Sequence, residues 1–551
     1  MMKYRIFLTA ASLCFVQLWA FAQNIDPTVV VSREYEGKLM EVHKPVMDMV
    51  VPDCVLKFDM EFDYSVFDNP YKGSYEFKPY LLDMHPSAYE DDTRRLYLSA
   101  GAGYQFHPEL DLVWTPWKKK AFMLDVYASH RSYFGTYHPL MPGQTEAWKG
   151  NDMKSLAGVD GAFNWKSGVL DFDLGYYGIA QDDFRRKRGY NAFNASFGYA
   201  NKSVKDDYFL FDIKGGFGFA ADKADFRSGT QSYLSESVVS MDVSMGPVFS
   251  RTHKIIVDLD VEMAAYNGHL NATAAMFSLV PHYEFKKNRW NLDLGLNISA
   301  CVRPDSSGKN FSESGQYVYP AVSVEYEALR NALFLYAVAD GGNNLGTYSS
   351  MIRNNRYFDM SYAGPDAQLL DNSVKRVDFA LGFKGRVAEG LSYDVKGGYR
   401  DYGSVALDAV YADVPGVAYC PLRSLYAGVD VIWKSESLCA SADITYDNFI
   451  GFNMSSPAII PAALSGMVSV EYNWMKRIIA GVDCSFASSR NGGLYGIPAF
   501  ADLGLDFEYV FAGNFSAWAK VGNLLGMKIQ KTPFYAEKGV YFTLGFCLNL
   551  R

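Results

Sequence analysis

Histidine and cysteine are scarce in this 551-residue chain, at 8 and 7 residues, and neither is clustered. There is no CxxC pair, no HExxH, no GxSxG and no P-loop. Those absences exclude the familiar zinc, serine-hydrolase and nucleotide-phosphate signatures. No catalytic residue, metal ligand or cofactor is expected. Basic residues are outnumbered, 52 against 61, for a net charge of -9. Nucleic acid calls for a basic patch, so it is not an expected partner. Past the first 22 residues no apolar run reaches the roughly 18 residues of a membrane helix.

The N-terminus has the layout of a secretory leader. A basic start, MMKYR, precedes an apolar stretch from Ile6 to Phe21. Ala20-Phe21-Ala22 supplies a small-x-small cleavage site before Gln23. Loss of Lys3 and Arg5 with the leader takes the net charge to near -11. Aromatic residues and glycine are abundant: 39 Tyr, 38 Phe, 9 Trp and 47 Gly. A membrane β-barrel uses that mixture, aromatics for two interfacial girdles and glycine where staves bend or crowd. Six cysteines follow the leader: Cys54, Cys301, Cys420, Cys439, Cys484 and Cys547. Four of them fall in expected staves, where a thiol serves as a small apolar residue. A Cys420–Cys439 bridge is one available pairing, and spacing alone does not fix it.

From about Leu96 onward the chain repeats one unit: a two-period strand, a short polar turn, another strand, a longer loop. The last strand is the plainest. Phe542, Leu544, Phe546, Leu548 and Leu550 share one face, opposite Tyr541, Thr543, Gly545, Cys547 and Asn549. Ile255, Val257, Leu259, Val261 and Met263 alternate with Asp258, Asp260 and Glu262 in the same way. In a membrane barrel such an apolar face meets lipid and the acidic face lines the lumen; in a soluble sandwich it would meet a core. The loop asymmetry favours the barrel. Short turns are expected at Trp117–Lys120, Lys166–Gly168, Asn201–Asp206, Ser250–Lys254, Lys286–Arg289, Leu329–Arg330, Ala388–Gly390, Ser435–Ser437, Trp474–Lys476 and Ala512–Asn514. Long loops are expected at Gly135–Lys154, Val302–Gln316, Gly341–Asn372, Gly403–Cys420 and Leu524–Lys538, with a short outer connection only at His107–Pro108. The fold class is therefore all-β, a transmembrane antiparallel barrel of about 22 strands. Trp165, Trp290, Trp433 and Trp474 beside the short turns suit an inner aromatic girdle.

The segment from Ala517 to Leu550 resembles the last two strands of TonB-dependent receptors. Asn523-Leu524-Leu525 matches their usual turn, and Lys538-Gly539 before Tyr541, Phe542 and Leu544 matches the start of their closing strand. The chain departs from the pattern by ending Leu550-Arg551, where an aromatic residue is usual. The resemblance implies a barrel of about 22 strands and an N-terminal plug. Only 23–95 are left for the plug between the leader, 1–22, and the barrel, 96–551. That is too short for the usual one, so a reduced plug-like or periplasmic segment is expected. Within it Thr28, Val29, Val30, Val31 and Ser32 look like a TonB box, which pairs with TonB by strand addition. The plainer reading is a β-branched strand near a mature terminus.

The expected function is solute or nutrient transport across the outer membrane of a Gram-negative bacterium. Outer-membrane lipid, a small solute and either TonB or a periplasmic or lipoprotein partner are the expected contacts. Tyr348, Arg353, Arg356, Tyr357 and Tyr362, with His138 and Trp148, are the candidate loop contacts for ligand. The alternatives are a plugless assembly subunit and a passive diffusion channel. Inside the barrel, Asp171, Asp173, Asp258, Asp260, Glu262, Asp293, Asp506 and Glu508 face Lys214, Lys384, Arg386, Lys396 and Arg400. They either pair across a water-filled interior or form separate acidic and basic walls that bias solute charge. Ser129-His130 is the single adjacent nucleophile–base pair worth locating. The Gly215–Gly218 cluster reads as close stave packing and not as a phosphate loop.

Overall fold

The computed structural model describes residues 95–550, apart from 105, 139, 141–145, 203–207, 305–310, 314–317, 359–369, 389, 412–413, 453–456 and 493–494. Twenty-two antiparallel strands close into a barrel. In chain order they are β1 (Leu96–Gly103), β2 (Glu109–Lys119), β3 (Phe122–Tyr137), β4 (Trp148–Asn164), β5 (Gly168–Asp182), β6 (Arg186–Asn201), β7 (Tyr208–Phe226) and β8 (Gln231–Ser250). Then come β9 (His253–Gly268), β10 (Ala272–Lys287), β11 (Trp290–Pro304), β12 (Val318–Leu329), β13 (Leu333–Leu345), β14 (Asn372–Ala388) and β15 (Leu391–Tyr411). The last seven are β16 (Val414–Lys434), β17 (Leu438–Ile450), β18 (Leu464–Trp474), β19 (Ile478–Ala487), β20 (Phe500–Ala512), β21 (Phe515–Gly522) and β22 (Tyr541–Leu550). A three-residue strand, Phe311–Glu313, pairs with the end of β11. The short connections, such as Arg251 and Thr252 between β8 and β9, gather at one end, the turn end. The other end is the loop end.

Closure pairs β1 with β22, from Leu96 opposite Leu550 to Gly103 opposite Thr543. It removes the open edge that a sheet would otherwise expose. Trp518 of β21 lies across this seam. A β-carbon on Gly101 would come 2.4 Å from its ring, and one on Gly545 would come 2.3 Å from it. Only glycine leaves room there for the indole, whose Nε1 donates to Ser99 Oγ at 3.0 Å.

The barrel is inside-out relative to a soluble protein. Phe217, Leu296 and Leu544 are 53, 53 and 59 % exposed, on the outer surface of their staves. That settles the sandwich alternative, since a sandwich would bury this face. Trp165, Trp290, Trp433 and Trp474 are each about half exposed, beside the turns. They form the expected girdle at the turn end.

The loop end departs from expectation. Connections at 183–185, 227–230, 269–271 and 412–413 are short. Residues 403–420 are largely strand, the hairpin of β15 and β16. Each of those staves has 21 residues. At about 3.3 Å per residue they far exceed the roughly 30 Å apolar layer. Beyond that layer a strand needs no lipid-facing apolar residues, so its polar, Gly- and Pro-containing sequence reads as loop.

A candidate functional site at the loop end of the barrel

The lumen face of the staves changes character along their length. In β5 it runs Asp171, Asp173, Gly175, Tyr177, Ile179 from the turn end outward. In β9 it runs Asp258, Asp260, Glu262, Ala264, Tyr266. Near the turns the wall is acidic and wet. Toward the loop end Tyr177, Ile179, Ala264 and Tyr266 are all buried. Strands β6, β7 and β8 add Tyr190, Ala192, Ala220 and Leu234 to this apolar patch.

The chain between β13 and β14 covers the patch. It forms α1 (Tyr348–Asn354), the single helix among the described residues. Thr347 caps it, accepting at Oγ1 from Ser350 N at 3.3 Å. Tyr348, Met351 and Ile352 point into the patch, and Ile352 is fully buried. Burial of one such side chain contributes about 1.5–3 kcal/mol.

Polar groups on the wall hold the same segment. Glu236 accepts from the amides of Tyr348 at 2.7 Å and Ser349 at 3.0 Å, and from the Ser349 hydroxyl. It thus satisfies amides that the helix start leaves without partners. Arg188, whose side chain is fully buried, pairs with Asp222 through Nε at 2.9 Å and Nη2 at 2.7 Å. Its Nη1 donates to the carbonyls of Arg356 at 2.8 Å and Phe358 at 3.1 Å. The Tyr348 hydroxyl donates to Asp222. Arg186 Nη2 donates to the Tyr357 carbonyl at 3.0 Å. Burial raises the pKa of both Tyr348 and Tyr357 well above the ordinary tyrosine value, so both stay neutral donors.

A second loop, 523–540, lies over the first. Tyr535 stacks on Tyr357 with ring centres 3.9 Å apart, and its hydroxyl donates to Asp183 at 3.2 Å. Asn523 folds the start of this loop, accepting from Met527 N at 3.0 Å and donating to the Lys538 carbonyl at 3.1 Å. Asp408 of β15 binds Arg490 at 3.0 Å and accepts from Asn355 at 3.4 Å.

Between β3, β4 and these two loops is a cavity of about 370 Å³. Arg131, Tyr133, Tyr137, Lys154, Arg356 and Lys538 are among its lining residues. Arg356 reaches Asp152 at 3.1 Å and Glu537 at 3.5 Å. Burial opposes its charge, but Tyr357, Asp152 and Glu537 outweigh that and raise its pKa. Lys538 lies over the rings of Tyr133 and Tyr541, at 5.6 and 5.2 Å. Burial, together with the charge of Arg356, holds its ammonium below the usual lysine range. The buried Tyr137 hydroxyl has no hydrogen-bond partner among the described residues.

A second cavity of about 440 Å³ lies along the acidic half of the wall, lined by Asp212, Asp258, Glu284 and Asp293 around His282. His282 pairs with Asp258 at 3.2 Å and Glu284 at 3.6 Å, and Lys254 with Glu284 at 2.7 Å. Among the described residues no group of side chains suits a metal ion.

The residues singled out in the sequence fall in different places. Tyr348 and Tyr357 are buried in the segment between β13 and β14. Arg353 lies over the Tyr177 ring at 5.6 Å. Arg356, Tyr357 and His138 line the smaller cavity. Trp148 packs against the buried cluster that includes Phe184, Tyr357 and Tyr535, and carries Arg227 on its ring at 4.4 Å. Tyr362 and Thr28–Ser32 lie outside the described residues. Ser129 and His130 are consecutive strand residues on opposite faces. Ser129 donates to Asp111 at 2.8 Å, and His130 bonds Ser155 at 2.8 Å, so they form no nucleophile–base pair. Cys420 and Cys439 are not bridged to each other. Gly215–Gly218 is mid-strand in β7. Two lumen ion pairs run along the wall between nearby staves and not across the interior. Lys384 meets Glu325 at 2.5 Å and Arg400 meets Asp378 at 3.0 Å. Asp125, Asp160 and Asp173 instead stand opposite one another as an acidic row. Arg131 and Tyr137 were not singled out by the sequence, and Lys538 only as part of the closing-strand match, because distant segments bring the three to one cavity.

No family model matches the sequence, and no curated protein matches it. Solved structures do. One is described as the copper transporter OprC, with a TM-score of 0.61 at 12 % identity over 83 % of this chain and 79 % of that one. The FrpB iron transporter from Neisseria meningitidis (F3-3 variant) gives 0.61 at 10 % identity over 84 and 82 %. The siderophore receptor PiuA from Acinetobacter baumannii gives 0.61 at 8 % over 83 and 81 %. These are TonB-dependent receptors of the outer membrane with 22-stranded barrels, and this chain has their barrel fold. At such identities the likeness is one of fold. It agrees with the resemblance carried by the final hairpin.

Proposed function

We propose that the chain is an outer-membrane uptake barrel, set with its loop end outward, which passes a small nutrient solute through a lumen obstructed by its own loop. The observation that carries this reading is α1, seated on an apolar patch inside the wall and held by Arg188, Asp222 and Glu236. A passive channel needs an open path, whereas a latched segment suits a barrel that opens on demand. The transporter and receptor descriptions of the similar structures support the same reading. Leader cleavage after Ala22 and coupling to TonB through Thr28–Ser32 belong to the proposal. No observation favours the assembly-subunit alternative.

The test is conductance in planar bilayers. The intact chain is expected to stay closed, and replacing 347–358 by a Gly/Ser linker to produce large steps. Equal, steady conductance from both would overturn the proposal. Capture of the purified chain by a TonB C-terminal domain, lost on deleting 28–32, tests the coupling.

A further inference from the structure

We infer that the cavity between β3, β4 and the two loops binds a ring compound bearing a single carboxylate, an acidic sugar or an aromatic acid. This rests on the uptake reading, for which it names the class of solute. The volume, about 370 Å³, falls within the roughly 300–1,000 Å³ of small-molecule sites. Four cationic side chains and two acids, Asp152 and Glu537, line it, and Arg131 is paired outward with Asp111 at 2.6 Å. Arg356 already engages both acids. Among the described residues Lys538 makes no ion pair, only the two ring contacts, and the buried Tyr137 hydroxyl has no hydrogen-bond partner. A half-buried ammonium and a hydroxyl left so are costly unless a ligand completes them. One carboxylate accepts from both. A phosphate dianion would need more donors than this pair supplies, since Arg356 is occupied. Tyr133 and Tyr137 line the cavity as well and supply aromatic surface for a ring.

The test uses the full chain in detergent and four probes: galacturonate, 2-hydroxybenzoate, glucose 6-phosphate and maltose. Calorimetry is expected to show binding of at least one of the two acids, weakened by added salt, and none of maltose. Which acid binds separates the sugar from the aromatic source. Lys538→Gln is expected to weaken that binding about ten- to a hundredfold, the worth of one charge-assisted hydrogen bond, and Tyr137→Phe severalfold. Lys120→Gln at the turn end should leave it unchanged. Heat-modifiable migration confirms that each variant folds. Failure of both acids to bind at millimolar concentration, tighter binding of glucose 6-phosphate, or equal binding of maltose would overturn the inference. Acid binding by a permanently open pore would sink the uptake reading alone. A closed barrel that opens without its loop, yet binds neither acid, would sink this inference alone.

Discussion

The two halves of the lumen wall are built from the same staves and behave differently. At the turn end the inward residues are acidic: Asp171 and Asp173 in β5, Asp258 and Asp260 in β9. Four or six residues farther along each strand the inward position holds Tyr177, Ile179, Ala264 or Tyr266 instead. The outer face stays apolar across the lipid layer because lipid is its neighbour there. The inner face follows whatever covers it, water near the turns and α1 near the loops. A stave with one apolar face therefore borders a filled volume of water, and a stave with two borders protein on its inner side.

That contrast can be broken from the loop side first. Arg188→Ala should do the most damage. It leaves Asp222 buried without its partner, an error of about 3–5 kcal/mol. The expected result is trypsin cleavage after Arg353 or Arg356 in a barrel that still migrates as folded. Ile352→Ala removes buried side chain from the apolar contact, at about 2–5 kcal/mol, and should raise open time in bilayers without changing single-step size. Glu236→Gln keeps the shape but weakens the hold on the Tyr348 and Ser349 amides, costing about 1–3 kcal/mol. Faster hydrogen exchange confined to α1 would show it. Asp260→Asn on the wet half should move stability by less than about 0.5 kcal/mol. Its effect is expected on ion selectivity, read as a smaller cation preference in the reversal potential of the loop-replaced barrel. A loss of folded protein from Asp260→Asn as large as that from Arg188→Ala would erase the distinction between the halves.

The staves, the turns and the closing seam were legible because lipid imposes a strict period of two. Leu544, Phe546 and Leu550 had to alternate whatever the rest of the chain did. The girdle was legible for the same reason, since tryptophan beside a turn has few other uses. The strand extensions were not. Gly403, Pro415 and Gly416 look like loop, and nothing about a strand outside the bilayer forces alternation upon it. The covered half of the lumen left a signal that could have been read: alternation fades where Tyr190 and Ala192 succeed charged Arg188. Tyr348 and Tyr357 drew attention as loop aromatics able to contact ligand, but composition does not tell an aromatic that meets ligand from one that meets the wall. The cavity was hidden more deeply. Tyr137 and Lys538 are about 400 residues apart in the chain, and only closure of the barrel brings them to one place.

Cys301 offers the most direct test. It lies on the apolar wall in the cluster that α1 covers, and is 1 % exposed. With the other cysteines replaced by serine, a water-soluble maleimide should label Cys301 slowly in the intact chain. It should react quickly once 347–358 are replaced by a Gly/Ser linker. Rapid labelling of the intact chain, at the rate seen without the loop, would mean that α1 does not close the outer half of the lumen.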